Sequence, residues 1–246
     1  ATYDYDGHDR LKRWRFPPKP TAGVSSASDY EECGDDLAGR RTTARKRDGL
    51  VLTFAYDALG RVTSKTVPER GGLAGTHTRD LYYDYDLRGL QLAVRFDSIS
   101  GECVSFTYDN HGRLLSSTQA MDGTSRALTY QWNRNNLRTR VTRPDANYTI
   151  YGYDGLDRLL TIHNGGSLLV TQGYNAKGEV IGRTMPNAAT ALPYDALSRP
   201  ASLSHDMSGT GGDVTFGYGY NPASQIASRS SNNDAYIYGG GVNITR

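Results

Sequence analysis

The stretch Tyr108-Asp109-Asn110-His111-Gly112-Arg113-Leu114 contains the pattern that decides the fold. An aromatic residue is followed by an acidic residue, two variable residues, a glycine, an arginine and an aliphatic residue. The carboxylate is able to cap its own turn, and the glycine supplies a positive φ that closes a hairpin without a Cβ clash. The stretch therefore predicts the corner between two antiparallel strands.

This corner pattern recurs along the chain. Clear copies begin at Tyr5, Tyr56 and Tyr153, and weaker ones begin at Tyr85, Trp132, Tyr174, Tyr194 and Tyr220. From Tyr56 onward the steps between copies are 29, 23, 24, 21, 21, 20 and 26 residues, the length of one supersecondary unit per repeat. The first step, of 51 residues, predicts a hidden degenerate copy.

A period of two residues leads into each corner. Before Tyr56, the large residues Leu52 and Phe54 share its face of a strand, while Thr53 and Ala55 share the other face. We therefore expect strands that pack on one face and are wetter on the other.

The register of each hairpin is left open by the sequence. A loop of four residues would set Tyr56 opposite Arg61, and a loop of five would set it opposite Val62. The first arrangement gives a cation–π contact and the second a cross-strand hydrophobic pair, each worth about 0.5–1 kcal/mol.

Composition supports an all-β fold and argues against two classes of function, nucleic-acid binding and membrane insertion. The 246 residues include 18 Tyr, 28 Gly and only five Phe, which favours strands joined by glycine-dependent turns. The formal net charge of +2, from 28 basic and 26 acidic side chains, is too even for a nucleic-acid binder. No run approaches the roughly 18 apolar residues of a membrane helix, so membrane insertion is not expected either.

The Tyr-Asp corners, such as 56–61 and 194–199, resemble the YD repeats of the RHS family over nearly the whole chain. The resemblance implies tandem antiparallel β-hairpins in a curved or spiralling sheet. In full-length bacterial members such a sheet forms a hollow shell around a toxic C-terminal polypeptide, and animal teneurins use a similar shell in adhesion. The site residues that we single out are structural repeat corners: Tyr5, Asp6, Tyr56, Asp57, Gly60, Arg61, Tyr85, Asp86, Gly89, Tyr108, Asp109, Gly112, Arg113, Trp132, Tyr153, Asp154, Arg158, Tyr174, Gly178, Tyr194, Asp195 and Tyr220.

Two departures limit what the resemblance transfers. The chain has no Asp-Pro-x-Gly segment of the kind that closes such shells and releases their toxin, so self-cleavage is not carried over. About nine hairpins make roughly 18 strands and a sheet about 86 Å wide, which would roll into a ring about 27 Å across. A folded cargo of about 100 residues is roughly 33 Å across, so we expect a partial shell, a wall and not a container.

The expected domain organisation is a single YD-repeat domain over 1–246. Residues 51–246 hold the regular repeats, and 1–50, with Pro17-Pro18-Lys19-Pro20, are expected to be irregular, either a degenerate repeat or a cover. The glycine-rich stretches 71–72, 209–212 and 239–241 match no phosphate-binding pattern and are predicted to be loops or hairpin ends. The basic run 40–47 is predicted to be a solvated loop whose charges are paired locally.

No constellation in the sequence predicts a catalytic, metal or cofactor site. The histidines His8, His77, His111, His163 and His205 lie in different repeats without a metal-binding spacing. Cys103 would need a base such as His111 or His163 within hydrogen-bond reach to act as a nucleophile. Cys33 lies among carboxylates that disfavour a thiolate. Both cysteines are expected to be small fillers, with a bridge between them as the next alternative.

Three functions remain open. The first is an encapsulating wall segment of a secreted or surface-delivered bacterial RHS-repeat protein that packages a toxin cargo. The second is a recognition module whose exposed rings stack on a glycan or whose strands meet a partner sheet. The third is a hydrolytic enzyme built on the repeat scaffold. In the first case the partners are neighbouring repeats of a longer chain or a second copy paired through the sheet edges.

Overall fold

The computed structural model describes residues 1–17, 24–209 and 211–233, and the predictions made for Pro18-Lys19-Pro20 and for 239–241 lie outside them. The described residues form twenty β-strands and a single 3-10 turn at Gly75–His77. Consecutive strands pair antiparallel, as in β5 with β6 and β13 with β14. The predicted all-β fold of tandem antiparallel hairpins is confirmed.

The chain divides into two compact units, Ala1–Ala127 and Leu128–Arg246. That residues 1–246 form one domain stays a prediction. In the first unit the strands are β1 (Thr2–Tyr5), β2 (Leu11–Arg15), β3 (Tyr30–Asp35), β4 (Arg41–Arg45), β5 (Val51–Tyr56), β6 (Val62–Thr66), β7 (Leu81–Tyr85), β8 (Gln91–Phe96), β9 (Cys103–Tyr108) and β10 (Leu114–Met121). They pair in chain order, β1 with β2 through to β9 with β10.

The second unit has the same construction. Its strands are β11 (Thr124–Trp132), which begins just before the boundary, β12 (Arg138–Thr142), β13 (Tyr148–Tyr153), β14 (Leu159–Asn164), β15 (Ser167–Tyr174), β16 (Val180–Met185), β17 (Ala188–Ala191), β18 (Ser202–Met207), β19 (Val214–Tyr220) and β20 (Ile226–Ser231). They too pair in chain order, so the strands of each unit form an open antiparallel meander.

The hairpin register is the same at most corners. Tyr56 pairs with Val62, and the register shifts between Ala55 and Tyr56. The same shift precedes Tyr85, Tyr153 and Tyr174. The corner loop therefore holds five residues, and the aromatic residue faces the residue after the loop: an aliphatic one at Tyr56, Tyr153 and Tyr174, and Gln91 at Tyr85.

Side chains are covered only partly. Along β5 exposed and half-buried residues alternate, and the half-buried ones are Leu52, Phe54 and Tyr56. Among the described residues only Ala93 and Val214 count as buried hydrophobic residues, with 2% and 4% of their surface exposed. The hairpins therefore rely on cross-strand pairs and on hydrogen bonds more than on a thick core.

The first fifty residues contain regular hairpins in their described part. Strands β3 and β4 meet at a corner formed by 36–40, in the interval where the sequence predicts a hidden copy. Asp35 stands where other copies have an aromatic residue, which is why the pattern is hard to see.

The prediction that the basic run 40–47 is a loop is wrong, because Arg41–Arg45 forms β4. The expected charge pairing is present: Arg40 pairs with Asp36 at 2.7 Å and Arg41 with Asp35 at 3.5 Å. Antiparallel pairing of an acidic strand with a basic strand explains the correction, since the charges neutralise each other across β3 and β4.

Both cysteines are free thiols, so the alternative of a bridge between them is wrong. Cys33 faces Ala44 on β4, and Cys103 faces Ala120 on β10. Across the described ranges, no helix has the length and apolar character needed to cross a bilayer.

Candidate functional site

The corner at Asp57 is closed by one carboxylate that binds three donors. Oδ1 accepts hydrogen bonds from the backbone amides of Leu59 and Arg61, both at 2.9 Å, and Oδ2 accepts one from Arg61 Nε at 2.6 Å. The backbone closes the same ring, because Asp57 N donates to Arg61 O at 2.9 Å and Gly60 N donates to Asp57 O at 3.0 Å. One side chain and two backbone hydrogen bonds thus close the five-residue loop.

The backbone bonding of this corner recurs ten times among the described residues. Each of these corners connects an odd-numbered strand to the strand that follows it. The ten corners with this backbone bonding are Asp6–Arg10, Asp36–Arg40, Asp57–Arg61, Asp86–Leu90, Asp109–Arg113, Asn133–Leu137, Asp154–Arg158, Asn175–Glu179, Asp195–Arg199 and Asn221–Gln225. Nine of them are the corners that the sequence predicts. Turns 46–50 and 143–147 repeat the backbone bonds without the aromatic residue.

The fourth loop residue has a positive φ at every corner. Five corners place glycine there, as at Gly60 with φ 79°. The other five use a short polar residue, for example Asp9 with φ 58° and Ser224 with φ 61°. The backbone demand is constant, and the sequence meets it with residues that tolerate this region.

The capping residue and the fifth loop residue vary together. Where the cap is aspartate, the fifth residue is arginine at six of seven corners. At two of the three asparagine caps the amide donates instead to an acceptor at the fifth position: Asn175 Nδ2 to Glu179 Oε2 at 2.6 Å, and Asn221 Nδ2 to Gln225 Oε1 at 3.0 Å. The exceptions are the corners Asp86–Leu90 and Asn133–Leu137, whose fifth residue is leucine.

Successive corners are joined by an arginine and a tyrosine, a set of contacts that we call the corner relay. The guanidinium of Arg61 lies 4.7 Å from the ring centroid of Tyr85 in the next corner, and its Nη1 donates to Asp86 O at 2.9 Å. In return, the Tyr85 hydroxyl donates to Val62 O at 2.9 Å. The arginine therefore closes its own corner and binds the next one.

The relay repeats in both units. Arg40 lies over Tyr56 at 4.9 Å, Arg158 over Tyr174 at 4.3 Å and Arg199 over Tyr220 at 4.4 Å. The tyrosine hydroxyls that donate to the backbone carbonyl of the preceding hairpin are those of Tyr56, Tyr85, Tyr108, Tyr153, Tyr174 and Tyr220, at 2.7–2.9 Å. The cation–π contact considered for one hairpin thus occurs between neighbouring hairpins.

Two corners preserve the relay with other residues. Asp86 has Leu90 at the fifth position, but Arg88 binds its carboxylate at 2.8 Å and reaches Asp109 O at 2.9 Å. At the first corner, Arg10 meets Asp35 at 3.9 Å, where the next aromatic ring would lie. An ion pair replaces the cation–π contact there.

The corner carboxylates are stabilised as anions. The side-chain hydrogen bond from Arg10 is the largest cause that lowers the pKa of Asp6, to about 2, with help from the backbone amides of Arg10 and His8. The pKa of Asp57 is lowered first by the backbone amide of Arg61, and that of Asp154 first by the Arg158 side chain. Burial raises the pKa of Tyr85, Tyr108 and Tyr153 and so keeps their hydroxyls as donors.

The remaining corner aromatics occupy the expected positions. Tyr5 faces Leu11 across its hairpin and is 60% exposed. Trp132 faces Arg138, and Tyr194 forms an isolated bridge with Pro200 outside the named strands. The structure therefore brings all the predicted corner residues to the corner ends of their hairpins.

The histidines and cysteines do not converge. His8 and His111 lie exposed in corner loops, as the turn interpretation predicts. Cys103 begins β9, whereas His111 lies beyond its other end, so the length of the strand separates them. Within the described ranges, no three His, Cys, Asp or Glu side chains are grouped so that they could hold a metal ion.

Two features of the corners are absent from the sequence prediction. The relay requires knowing which corner is adjacent in space, and no spacing along the chain gives that. The second feature is a leucine at the loop tip, which is strongly exposed at five corners: Leu37, Leu59, Leu87, Leu156 and Leu197. The sequence carried a signal for it, since leucine recurs at the second or third loop position.

Comparison with known proteins finds a family model that matches two segments of the chain. The family model described as RHS Repeat matches residues 36–71 and 108–148. The first match begins at the degenerate corner of Asp36. A curated relative, the tRNA3(Ser)-specific nuclease WapA of Bacillus spizizenii, is 26% identical over 151 residues, which cover 56% of this chain and 6% of that protein.

Solved structures share the fold. The crystal structure of TcdB2–TccC3 without the hypervariable C-terminal region aligns with a TM-score of 0.65 at 14% identity, covering 94% of this chain and 12% of that one. The Tc holotoxin pore of Photorhabdus luminescens aligns with a TM-score of 0.63 at 14% identity, covering 94% of this chain and 14% of that one. The chain thus spans a small part of the proteins that it resembles.

Proposed function

Because this chain contains RHS repeats, we propose that it is a structural wall segment of a bacterial RHS-repeat protein that packages and delivers a toxin. The corner relay carries the proposal. It binds neighbouring hairpins to each other in both units, and a wall needs such contacts between hairpins.

The thin covering of the described strands supports a wall. Among the described residues only Ala93 and Val214 are buried hydrophobic residues, so the faces of the hairpins are only partly covered. A wall leaves such faces available to other parts of a larger protein.

The names of similar proteins support a cargo elsewhere in a longer polypeptide. The curated relative is a tRNA-specific nuclease and one structural neighbour is a Tc holotoxin pore, and this chain covers only 6% and 14% of those proteins. We place the same division of labour here: these repeats enclose, and another segment of the natural polypeptide acts. Delivery outside the producing cell follows from that role.

The test uses the longest natural polypeptide that contains this sequence. Trypsin should leave a second segment intact in the wild type, because the wall shields it, and mass spectrometry would identify the protected fragment. The double variant Asp57→Ala, Asp154→Ala should expose that segment to digestion. The matched variant Asp206→Ala, at an exposed strand position outside the corners, should protect as the wild type does. Digestion of the wild type without any protected segment would reject the proposal.

A second candidate, glycan recognition, is favoured by one observation. Tyr3 stacks on Trp14 with ring centroids 5.8 Å apart, and Trp14 lies 4.5 Å from Phe16. Tyr3 is 51% and Trp14 36% exposed, so the row offers flat apolar faces of the kind that stack on sugar rings. On a glycan array, Trp14→Ala should abolish binding while Leu37→Ala keeps it. An array without any signal for the wild type would remove this candidate.

A further inference from the structure

A row of leucines lies along the corner edge of the first unit. Leu37, Leu59 and Leu87 occupy the loop tips of three consecutive corners and are 108%, 74% and 102% exposed. Leucine that is fully hydrated at a turn tip adds nothing to the closure of the turn, because the cap and the backbone bonds already close it. We call these three residues the leucine ridge.

The three corners that carry the leucine ridge are joined to each other. Arg40 Nη1 donates to Asp57 O at 3.3 Å, and Arg61 Nη1 donates to Asp86 O at 2.9 Å. Successive corners are two strands apart, which spaces the tips by about 10 Å. Polar tips, His8 before and His111 after, bound the ridge at both ends.

The charges beside the ridge are already paired. Asp36 with Arg40, Asp57 with Arg61 and Asp86 with Arg88 form ion pairs at 2.6–2.8 Å. Three leucines at these exposures offer roughly 500 Å² in total, divided among three tips about 10 Å apart. A partner would therefore meet an apolar strip without unpaired charge at its sides.

We propose that the leucine ridge is a homodimer interface, occupied by the leucine ridge of a second copy of this chain. A ridge of equal spacing fits itself when the copies run antiparallel, since a two-fold axis near Leu59 sets Leu37 of one copy beside Leu87 of the other. If the exposed surface of all six leucines is covered, the two ridges together bury about 1,000 Å², the lower limit for a specific interface. The dimer is therefore weak, in the micromolar range or above.

Sedimentation velocity over a concentration series tests the interface. The wild type should show a reversible monomer–dimer equilibrium, and the triple variant Leu37→Ser, Leu59→Ser, Leu87→Ser should weaken it by about a hundredfold or more. The matched control is Leu156→Ser, Leu197→Ser, which removes exposed tip leucines from corners that are not consecutive. The control should dimerise as the wild type does.

Disulfide trapping keeps the proposal testable if the triple variant fails to fold. In a Cys33→Ser, Cys103→Ser background, Leu59→Cys should form a disulfide-linked dimer on oxidation because the residue lies near the axis, and Leu197→Cys should not. A wild type that stays monomeric at all concentrations overturns the proposal. A dimer that survives the triple variant also overturns it and places association at the strand edges. Neither result bears on the wall function, because the leucine ridge plays no part in the relay.

Discussion

At the residue scale, a single carboxylate closes each corner that is capped by aspartate. Asp57 satisfies two amides and one guanidinium, and the same three bonds recur at Asp109 and Asp154. The amides of a five-residue loop have few other protein acceptors, so loss of the cap leaves them to water alone. The closure of each hairpin consequently depends on the few atoms that form these hydrogen bonds.

The capping carboxylates predict a defined acid response. Their folded pKa values lie below the unfolded value, so their stabilisation is complete above about pH 5 and is lost as the pH falls through the unfolded value toward about 2, the folded pKa of Asp6. The melting temperature should therefore fall steeply between about pH 4.5 and pH 2. Asp57→Asn should make that fall shallower, since this side chain does not titrate, while it keeps an Oδ1 acceptor. Equal slopes for both proteins would contradict the role of the caps.

The backbone at the fourth loop residue gives a second prediction. Gly60 has φ 79°, where a Cβ is strained, so Gly60→Ala should lower the free energy of unfolding by about 1–2 kcal/mol. Gly155→Ala is the matched control, because it lies in a corner loop without positive φ and a Cβ there meets nothing within 4 Å. Urea unfolding of both variants measures the difference. Equal stability of the two variants would show that φ is not the constraint.

At the element scale, the sequence predicts structure formed by residues that are close along the chain, and it does not predict contacts between neighbouring hairpins. The hairpins and nine corners follow from local patterns such as Tyr56-Asp57 and Gly60, since turn chemistry acts over five residues. The position of the corner at Asp36 is not predicted, because Asp35 stands in place of the aromatic residue. The relay is not predicted from the sequence because Arg61 and Tyr85 are 24 residues apart, and only strand pairing makes them neighbours.

A double-mutant cycle measures the relay. Arg61→Ala and Tyr85→Leu should each destabilise the protein, and their effects should be non-additive by about 0.5–1 kcal/mol because each removes the same cation–π contact. Arg61→Ala combined with Tyr3→Leu should be additive, since Tyr3 contacts Trp14 and not Arg61. Additive effects for Arg61 and Tyr85 would mean that the stacking contributes nothing measurable.

At the scale of the whole molecule, stability is distributed along the chain. Contacts join consecutive strands, and within the described residues only two hydrophobic side chains are buried, so each hairpin depends mainly on its two neighbours. Arrays of this kind lose structure from their ends before their middles. Because few side chains are buried, much of the surface remains for partners. Both the wall and the leucine ridge are therefore consistent with this architecture.

Hydrogen exchange tests this end-to-middle order within the first unit. In its described part, β1 pairs only with β2, and Tyr5 lacks the arginine that covers Tyr56 and Tyr85. Strand β8 lies between β7 and β9 and carries the buried Ala93. Amides of β1 should therefore exchange at least about tenfold faster than those of β8, as followed by mass spectrometry at low protein concentration. Protection of β1 that rises with concentration would reveal pairing through this edge, and protection equal to that of β8 at every dilution would mean that another part of the chain covers it.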